Sequence, residues 1–176
     1  MVGYVRQDDF LLPYLTVRET LRFAAALRLP AQVDQQLINA IVEDTISELG
    51  LKAAADSTSR RGISGLSGMS IIDIIREHAA DQRERGNKGG ERRRLSIGCV
   101  LVTLPSVLIL DEPTTGLDSF SAFQLLETLS QLAKKGRSII LSIHQPRSDA
   151  FALFDKVTLL SAGSVIYSGE TSAILD

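Results

Sequence analysis

Two adjacent acids at the end of an apolar run are the residues best suited to chemistry in this sequence: Val107-Leu108-Ile109-Leu110 is followed at once by Asp111-Glu112-Pro113. Four apolar residues without alternation are the pattern of a short strand buried on both faces. The carboxylates then stand at its C-terminal end, the edge of a parallel α/β sheet where ligands bind. There Asp111 suits a Mg²⁺ ion reached through its water shell. Glu112 can polarise a water for attack on a γ-phosphate. Taken alone, a polar turn closing a strand explains the same letters equally well.

A second group changes that balance. Ser138 to Ile143 reads as another buried strand, and His144 ends it, followed by Gln145-Pro146. Neighbouring strands of one sheet would bring His144 beside Glu112, where an imidazole can donate to a phosphate oxygen. A single strand-end histidine is more often structural, but the acid pair reverses that reading. Other candidates are weaker. Cys99 stands alone in an apolar run, reads as a small core residue and has no partner for a disulfide, and no Cys/His cluster has metal spacing. Arg92 to Arg94 read as a solvated helix face rather than a nucleic-acid patch, His78 as a surface residue, and Asp8-Asp9 as solvated acids.

The elements that must position these groups follow from periodicity. Val2 to Arg6 reads as a strand, and a chain opening inside a strand suggests a domain whose front end is missing. Thr16-Val17-Arg18-Glu19 is a capping box for a helix reaching about Leu29 and stopped by Pro30. Asp34 can cap a second helix, with Leu37, Ile38, Ile41, Val42, Ile46 and Leu49 on one face and Gly50 closing it. From Ala53 to Gly90 the chain is polar and rich in Gly, Ser and Arg. A helix is expected from near Gly90 through Leu101, and another from about Ser119 to Lys134, ended by Gly136. Ser148 can cap a short helix, and Lys156–Leu160 and Ser164–Tyr167 form a hairpin about Ala162-Gly163. Strands alternating with helices predict an α/β fold with a largely parallel sheet and an antiparallel edge.

The 176 residues are enough for one domain; 44% are hydrophobic, 23% are charged and the net charge is −2. Bulk charge gives no reason to expect nucleic acid or an anionic membrane as partner. The most apolar stretch, Cys99 to Leu110, is split by Pro105 and too short to cross a bilayer.

With these residues in view the sequence resembles the ATP-binding cassette ATPases. Leu108 to Glu112 resembles their Walker B run, Gly116-Leu117-Asp118 the D-loop, His144 the switch histidine, Tyr4 to Asp9 the Q-loop around Gln7, and Gly90 to Gly98 the signature helix. The wording Gly-Glu-Arg-Arg-Arg, Thr-Gly-Leu-Asp-Ser-Phe and His-Gln-Pro-Arg is similar to the G subfamily, the white/pleiotropic drug resistance group. The resemblance implies an α/β fold: a partial P-loop NTPase sheet with a helical subdomain over about 11–97, the phosphate-binding-loop portion missing, the whole of 1–176 being part of one ATPase domain. It implies ATP and Mg²⁺ as cofactors, Glu112 and His144 as catalytic residues, and Asp111 with Gln7 near the metal. Gln7, Ser64, Gly65, Gly90, Glu91 and Asp118 would contact nucleotide. It implies a second nucleotide-binding domain and a transmembrane domain as partners, on the cytoplasmic side of a membrane, in export of lipid-like or xenobiotic substrates.

Two departures from the family pattern stand out. No G-x-x-x-x-G-K-[ST] loop occurs, so a chain unable to hold nucleotide, a non-catalytic fragment or pseudo-ATPase, is the rival reading; a soluble cassette ATPase of translation or DNA repair is a second rival. The signature is also split. Arg61-Gly62-Ile63-Ser64-Gly65 resembles its first half and Gly90-Glu91-Arg92-Arg93-Arg94 its second. Residues 66–89, or equally 65–88, read as an insertion, expected to be translated non-coding sequence rather than a genuine loop. If the insertion is real, Lys88 stands where the signature serine would.

Overall fold

The computed structural model describes residues 1–8, 10–12, 15–56 and 88–175. Thr16 opens the first helix, α1 (Val17–Arg28), through the expected capping box: its hydroxyl accepts the Glu19 N–H, and the Glu19 carboxylate accepts the Thr16 N–H. Two orphan donors of the first turn are thereby satisfied. Leu29 turns extended before Pro30 and ends the helix. Helix α2 (Gln35–Glu48) starts after Asp34, whose backbone takes the N-cap conformation but whose carboxylate bonds no N–H. That turn is exposed, so water can serve its donors, and Leu37 points outward rather than joining the apolar face. The helix closes as a Schellman motif: Gly50 sits at φ +63, its N–H reaches the Ser47 carbonyl, and the Leu51 N–H reaches Ile46.

Helix α3 (Lys88–Leu101) lies against both. The closest approach is at Gly98, where a Cβ would come within 2.9 Å of Leu21 on α1 and of Leu49 at the end of α2. Only glycine admits that crossing without a shift of the neighbours. Cys99 is half-buried and packs against the core, as a small core residue does.

Strands β1 (Val2–Val5), β2 (Val107–Leu110) and β3 (Ser138–Leu141) form a parallel sheet in the order β1-β2-β3. Val5, Leu110 and Leu141 stand in register at its C-terminal edge. Helix α4 (Ser119–Lys134) is the crossover from β2 to β3 and packs on α3. Helix α3 covers the face that carries Gly3, Leu108 and Leu110: a Cβ at Gly3 would meet Val100 at 2.6 Å. Glu48 of α2 pairs with Lys135 and Arg137 just past α4.

The expectation that β2 and β3 are buried on both faces is corrected. Leu108 and Leu110 are buried, but Val107 and Ile109 are only half-buried, and Tyr4 and Ile140 are more than half exposed. Among the described residues, helices cover one face of the sheet, and the side chains of the other alternate outward. A short helix α5 (Ser148–Phe151) starts at its expected cap residue Ser148 itself, so Arg147 takes the N-cap position and no side-chain cap bond forms. Strands β4 (Lys156–Ser161) and β5 (Ser164–Glu170) pair antiparallel through the predicted two-residue turn, Ala162 at φ +47 and Gly163 at φ +77. They form a sheet of their own and not an antiparallel edge of the parallel one: each strand's ladder is met by the other. Helix α6 (Ser172–Leu175) follows.

Candidate functional site

Because all three parallel strands end at one edge, the residues just past them converge. Past β1 comes Gln7, past β2 come Asp111 and Glu112, and past β3 comes Ser142. Gln7 Nε2 donates to Glu112 Oε2 at 3.3 Å, joining residues 105 apart in sequence. Thr115 Oγ1 donates to the same oxygen at 2.9 Å. Neither bond uses Oε1. Tyr4 donates its hydroxyl proton to Asp111 Oδ2 at 3.3 Å. Ser142 Oγ donates to Asp111 Oδ1 at 2.8 Å and accepts the Glu112 N–H, also at 2.8 Å. Glu112 itself sits at φ +40, a left-handed conformation uncommon for a residue with a side chain. The turn continues through Gly116 at φ +77 to Asp118.

Asp118 is the N-cap of α4: its Oδ1 accepts the N–H groups of Phe120 and Ser121. The bond from the Ser121 N–H, helped by that residue's hydroxyl and by the Phe120 N–H, holds the Asp118 carboxyl below its ordinary value. The carboxylate predicted to contact nucleotide thus also anchors the helix behind the acid turn.

Helix α3 reaches this site through a residue that the sequence reads as solvated. Arg93 on α3 is only 3% exposed. Its guanidinium donates to the carbonyls of Arg6 and Gln7 at 2.8 Å each, of Asp111 at 3.0 Å and of Pro113 at 3.1 Å. Arg92 and Arg94 are half-buried, so the reading of this run as a solvated face is corrected. The fork of a guanidinium suits several carbonyls at once, and it ties the ends of β1 and β2 to α3. Gly90 and Glu91 occupy the first turns of α3; Gly90 is buried, and a Cβ there would meet Ser121 at 3.1 Å, while Glu91 is exposed.

His144 lies past β3 and is exposed; among the described residues no hydrogen bond joins it to Glu112. Ser142, two residues earlier, holds the position beside the acids. Ser64 and Gly65 lie outside the described residues, as do Asp9, His78 and 66–87 of the expected insertion. Lys88 and Gly89 are the first two residues of α3, so the helix starts slightly ahead of the expected Gly90.

Sequence reasoning missed Arg93, Thr115 and Ser142. Arg93 had a signal: it shares the i, i+4, i+7 face with Ile97 and Val100, both buried. Ser142 had only its place beyond an apolar strand neighbouring that of the acids. The donor set is compatible with Mg²⁺. Asp111 offers hard carboxylate oxygens at a half-buried turn, and the Gln7 amide oxygen is not used in the bond to Glu112. Among the described residues no group of three or more His, Cys, Asp or Glu gathers to enclose a metal. A cation here would keep most of its waters, the habit of Mg²⁺ held by one or two carboxylates and by phosphates.

Comparison with known proteins gives one answer. The ABC transporter family matches residues 1–115. The chain is 48% identical over 168 residues to the human ATP-binding cassette sub-family G member 8, covering 96% of this chain and 22% of that protein. It is 45% identical over 174 residues to the broad substrate specificity ATP-binding cassette transporter ABCG2 of Mus musculus, 99% of this chain and 23% of the relative. It is 42% identical over 171 residues to ABC transporter G family member 13 of Arabidopsis thaliana, 97% and 22%. The chain therefore spans less than a quarter of the length of these curated relatives. Its fold matches cbiO1 of Clostridium perfringens, part of the ABC transporter complex cbiONQ, with a TM-score of 0.72 at 24% identity over 99% of this chain and 59% of that one. The converging strand ends, the acid turn and the relatives agree: this chain belongs to the ABC transporter family, in its G subfamily, and carries part of the ATP-binding domain.

Proposed function

We propose that this segment belongs to a working ATPase, which couples ATP hydrolysis to export of lipid-like or xenobiotic molecules across a membrane. Its ATPase domain, with a helical subdomain over about 11–97, faces the cytoplasmic side. It pairs with a second nucleotide-binding domain and couples through Gln7 and the following loop to a transmembrane domain. Among the described residues no helix is long and apolar enough to cross a membrane. Glu112 is the general base that takes a proton from the attacking water, Asp111 holds Mg²⁺ through water, and Gln7 senses the attacking water and the metal. His144 contacts the γ-phosphate, and Asp118, Gly90, Glu91, Ser64 and Gly65 line the nucleotide or face one held by the partner domain. When bound, Mg²⁺ supplies positive charge to the phosphate oxygens.

One observation carries the reading: Gln7, Asp111 and Glu112 meet at the C-terminal edge of a parallel sheet, with Gln7 bonded to one Glu112 oxygen and the other not used by that bond. A base must reach its water with an oxygen that internal bonds do not consume. Glu112→Gln in the full-length transporter tests it. The amide keeps the size and hydrogen bonds of the group but cannot accept the proton, so affinity for labelled ATP should stay within about 3-fold while turnover falls by roughly 100-fold or more. Hydrolysis near the parent rate would remove Glu112 as base. A parent protein that neither binds nor hydrolyses ATP would favour the non-catalytic reading.

A further inference from the structure

The Ser142 hydroxyl lies between the two acids. Its backbone N–H donates to the Leu110 carbonyl at 3.0 Å, extending the β2–β3 ladder one step past the strand, just as the Asp111 N–H donates to Val5 at 3.0 Å from β2 to β1. The residue is therefore held in register with the turn it touches. From that place its single proton goes to Asp111 Oδ1 and a lone pair takes the Glu112 N–H, both at 2.8 Å. No other side chain among the described residues bonds both acids. A hydroxyl is required for this, because the same small atom must donate on one side and accept on the other.

The bond to the Glu112 N–H matters because of the conformation there. Glu112 lies at φ +40, which a side-chain-bearing residue keeps only where its surroundings over-determine it. Thr115 and Gln7 fix the Glu112 carboxylate from one side; Ser142 fixes the backbone from which that carboxylate projects. The same hydroxyl also donates to the Asp111 carboxylate, whose other oxygen accepts from Tyr4.

We propose that Ser142 is a positioning residue for hydrolysis: through its bond to the Glu112 N–H it locks the Glu112 backbone in the geometry that the attacking water needs. The proposal rests on the assignment of Glu112 as base, and acts through it. Ser142 has no role in holding the nucleotide itself.

The test uses the full-length transporter with three variants, Ser142→Ala, Ser142→Thr and Glu112→Gln. Small displacements of reacting groups cost up to about 100-fold in rate, so Ser142→Ala should lower kcat by roughly 10- to 100-fold. The KM for ATP and the affinity for a fluorescent ATP analogue should stay within about 3-fold, because ground-state binding is untouched. Ser142→Thr keeps a donor and acceptor and should restore kcat to within a few-fold. In the absence of nucleotide, Ser142→Ala should speed amide exchange in the peptide covering 107–116 with no change in melting temperature, and Ser142→Thr should not. Added to Glu112→Gln, Ser142→Ala should lower turnover no further, since the residue acts through that base.

Parent-like kcat in Ser142→Ala, or a loss confined to KM and analogue affinity, would overturn the positioning role. So would a loss in Ser142→Ala that Ser142→Thr fails to restore, or one accompanied by a matching drop in melting temperature. These outcomes differ from failure of the underlying assignment, which would show as normal hydrolysis in Glu112→Gln itself.

Discussion

Strand β2 has a parallel neighbour on each side, with Val5 and Leu141 flanking Leu110 in register, so three strands end at one edge. Strands β4 and β5 run antiparallel through a two-residue turn, and their ends face opposite ways. The first sheet gathers Gln7, Asp111, Glu112 and Ser142 from three distant stretches of chain. The second gathers no predicted site residue, although its strands pair along their whole length with one register shift between Leu159 and Leu160. Burial differs in the same sense. Leu108 is fully buried beneath the helices, whereas Leu160 on β4 is 72% exposed. A parallel pair cannot be closed by a short turn and needs a crossover, so its contacts are long-range and rest on the shared core. A hairpin closes locally and commits little of the core. Chemistry that needs groups from several stretches of sequence finds them at the parallel edge.

The sharpest way to break this contrast is to cut the same number of atoms from each sheet. Leu108→Ala should destabilise by about 2–5 kcal/mol, as large-to-small changes in packed cores do. Leu160→Ala on the exposed hairpin should stay within about 0.5 kcal/mol. Urea midpoints measured on both variants check the pair, and equal losses would mean that the hairpin shares the core after all.

Arg93→Met asks whether the parallel edge is held by packing alone. The thioether chain fills part of the space but leaves carbonyls of Arg6, Gln7, Asp111 and Pro113 without this donor. Buried groups left without a partner cost about 1–3 kcal/mol each, with partial relief from water, so a total loss of about 2–4 kcal/mol is expected. Turnover should fall with it, because the ends of β1 and β2 lose their common tie. A urea midpoint and a kcat unchanged from the parent would show that the clamp is dispensable.

The smallest effect expected is at Asp118. Its carboxyl is held below the ordinary value of 3.8 by the N–H groups of the first turn of α4. A depressed folded-state pKa stabilises the protein above the unfolded value, and that contribution is lost as pH falls through the folded one. Asp118→Ala should therefore melt slightly below the parent at pH 7, and the gap should close as pH drops below about 3.8. A gap that persists unchanged at lower pH would mean that the cap is not the source of the difference.

Much of this is legible in the sequence. The capping box at Thr16, the closing glycine at Gly50, the hairpin turn at Ala162-Gly163 and the acids after β2 rest on neighbours within a few residues. Local rules suffice for these. The two-sided burial expected of β2 was not borne out, because an apolar run states that a strand is apolar and not which elements lie on each face. Arg93 was read as solvated because charge outweighed helical position, and position proved decisive. His144 is expected beside Glu112; among the described residues it makes no hydrogen bond to it, while Ser142, the first residue past the β2–β3 pairing, does.

The sequence by itself determined the elements, the turns and the kinds of group that could act on a phosphate, since each depends on backbone preferences and side-chain chemistry over short spans. Only the tertiary structure decided which groups meet. Gln7 and Glu112 are 105 residues apart, and Asp111 and Ser142 are 31 apart. Their contacts exist because in-register parallel pairing brings three strand ends to one edge. The buried guanidinium of Arg93 then holds two of those ends against the helix behind them.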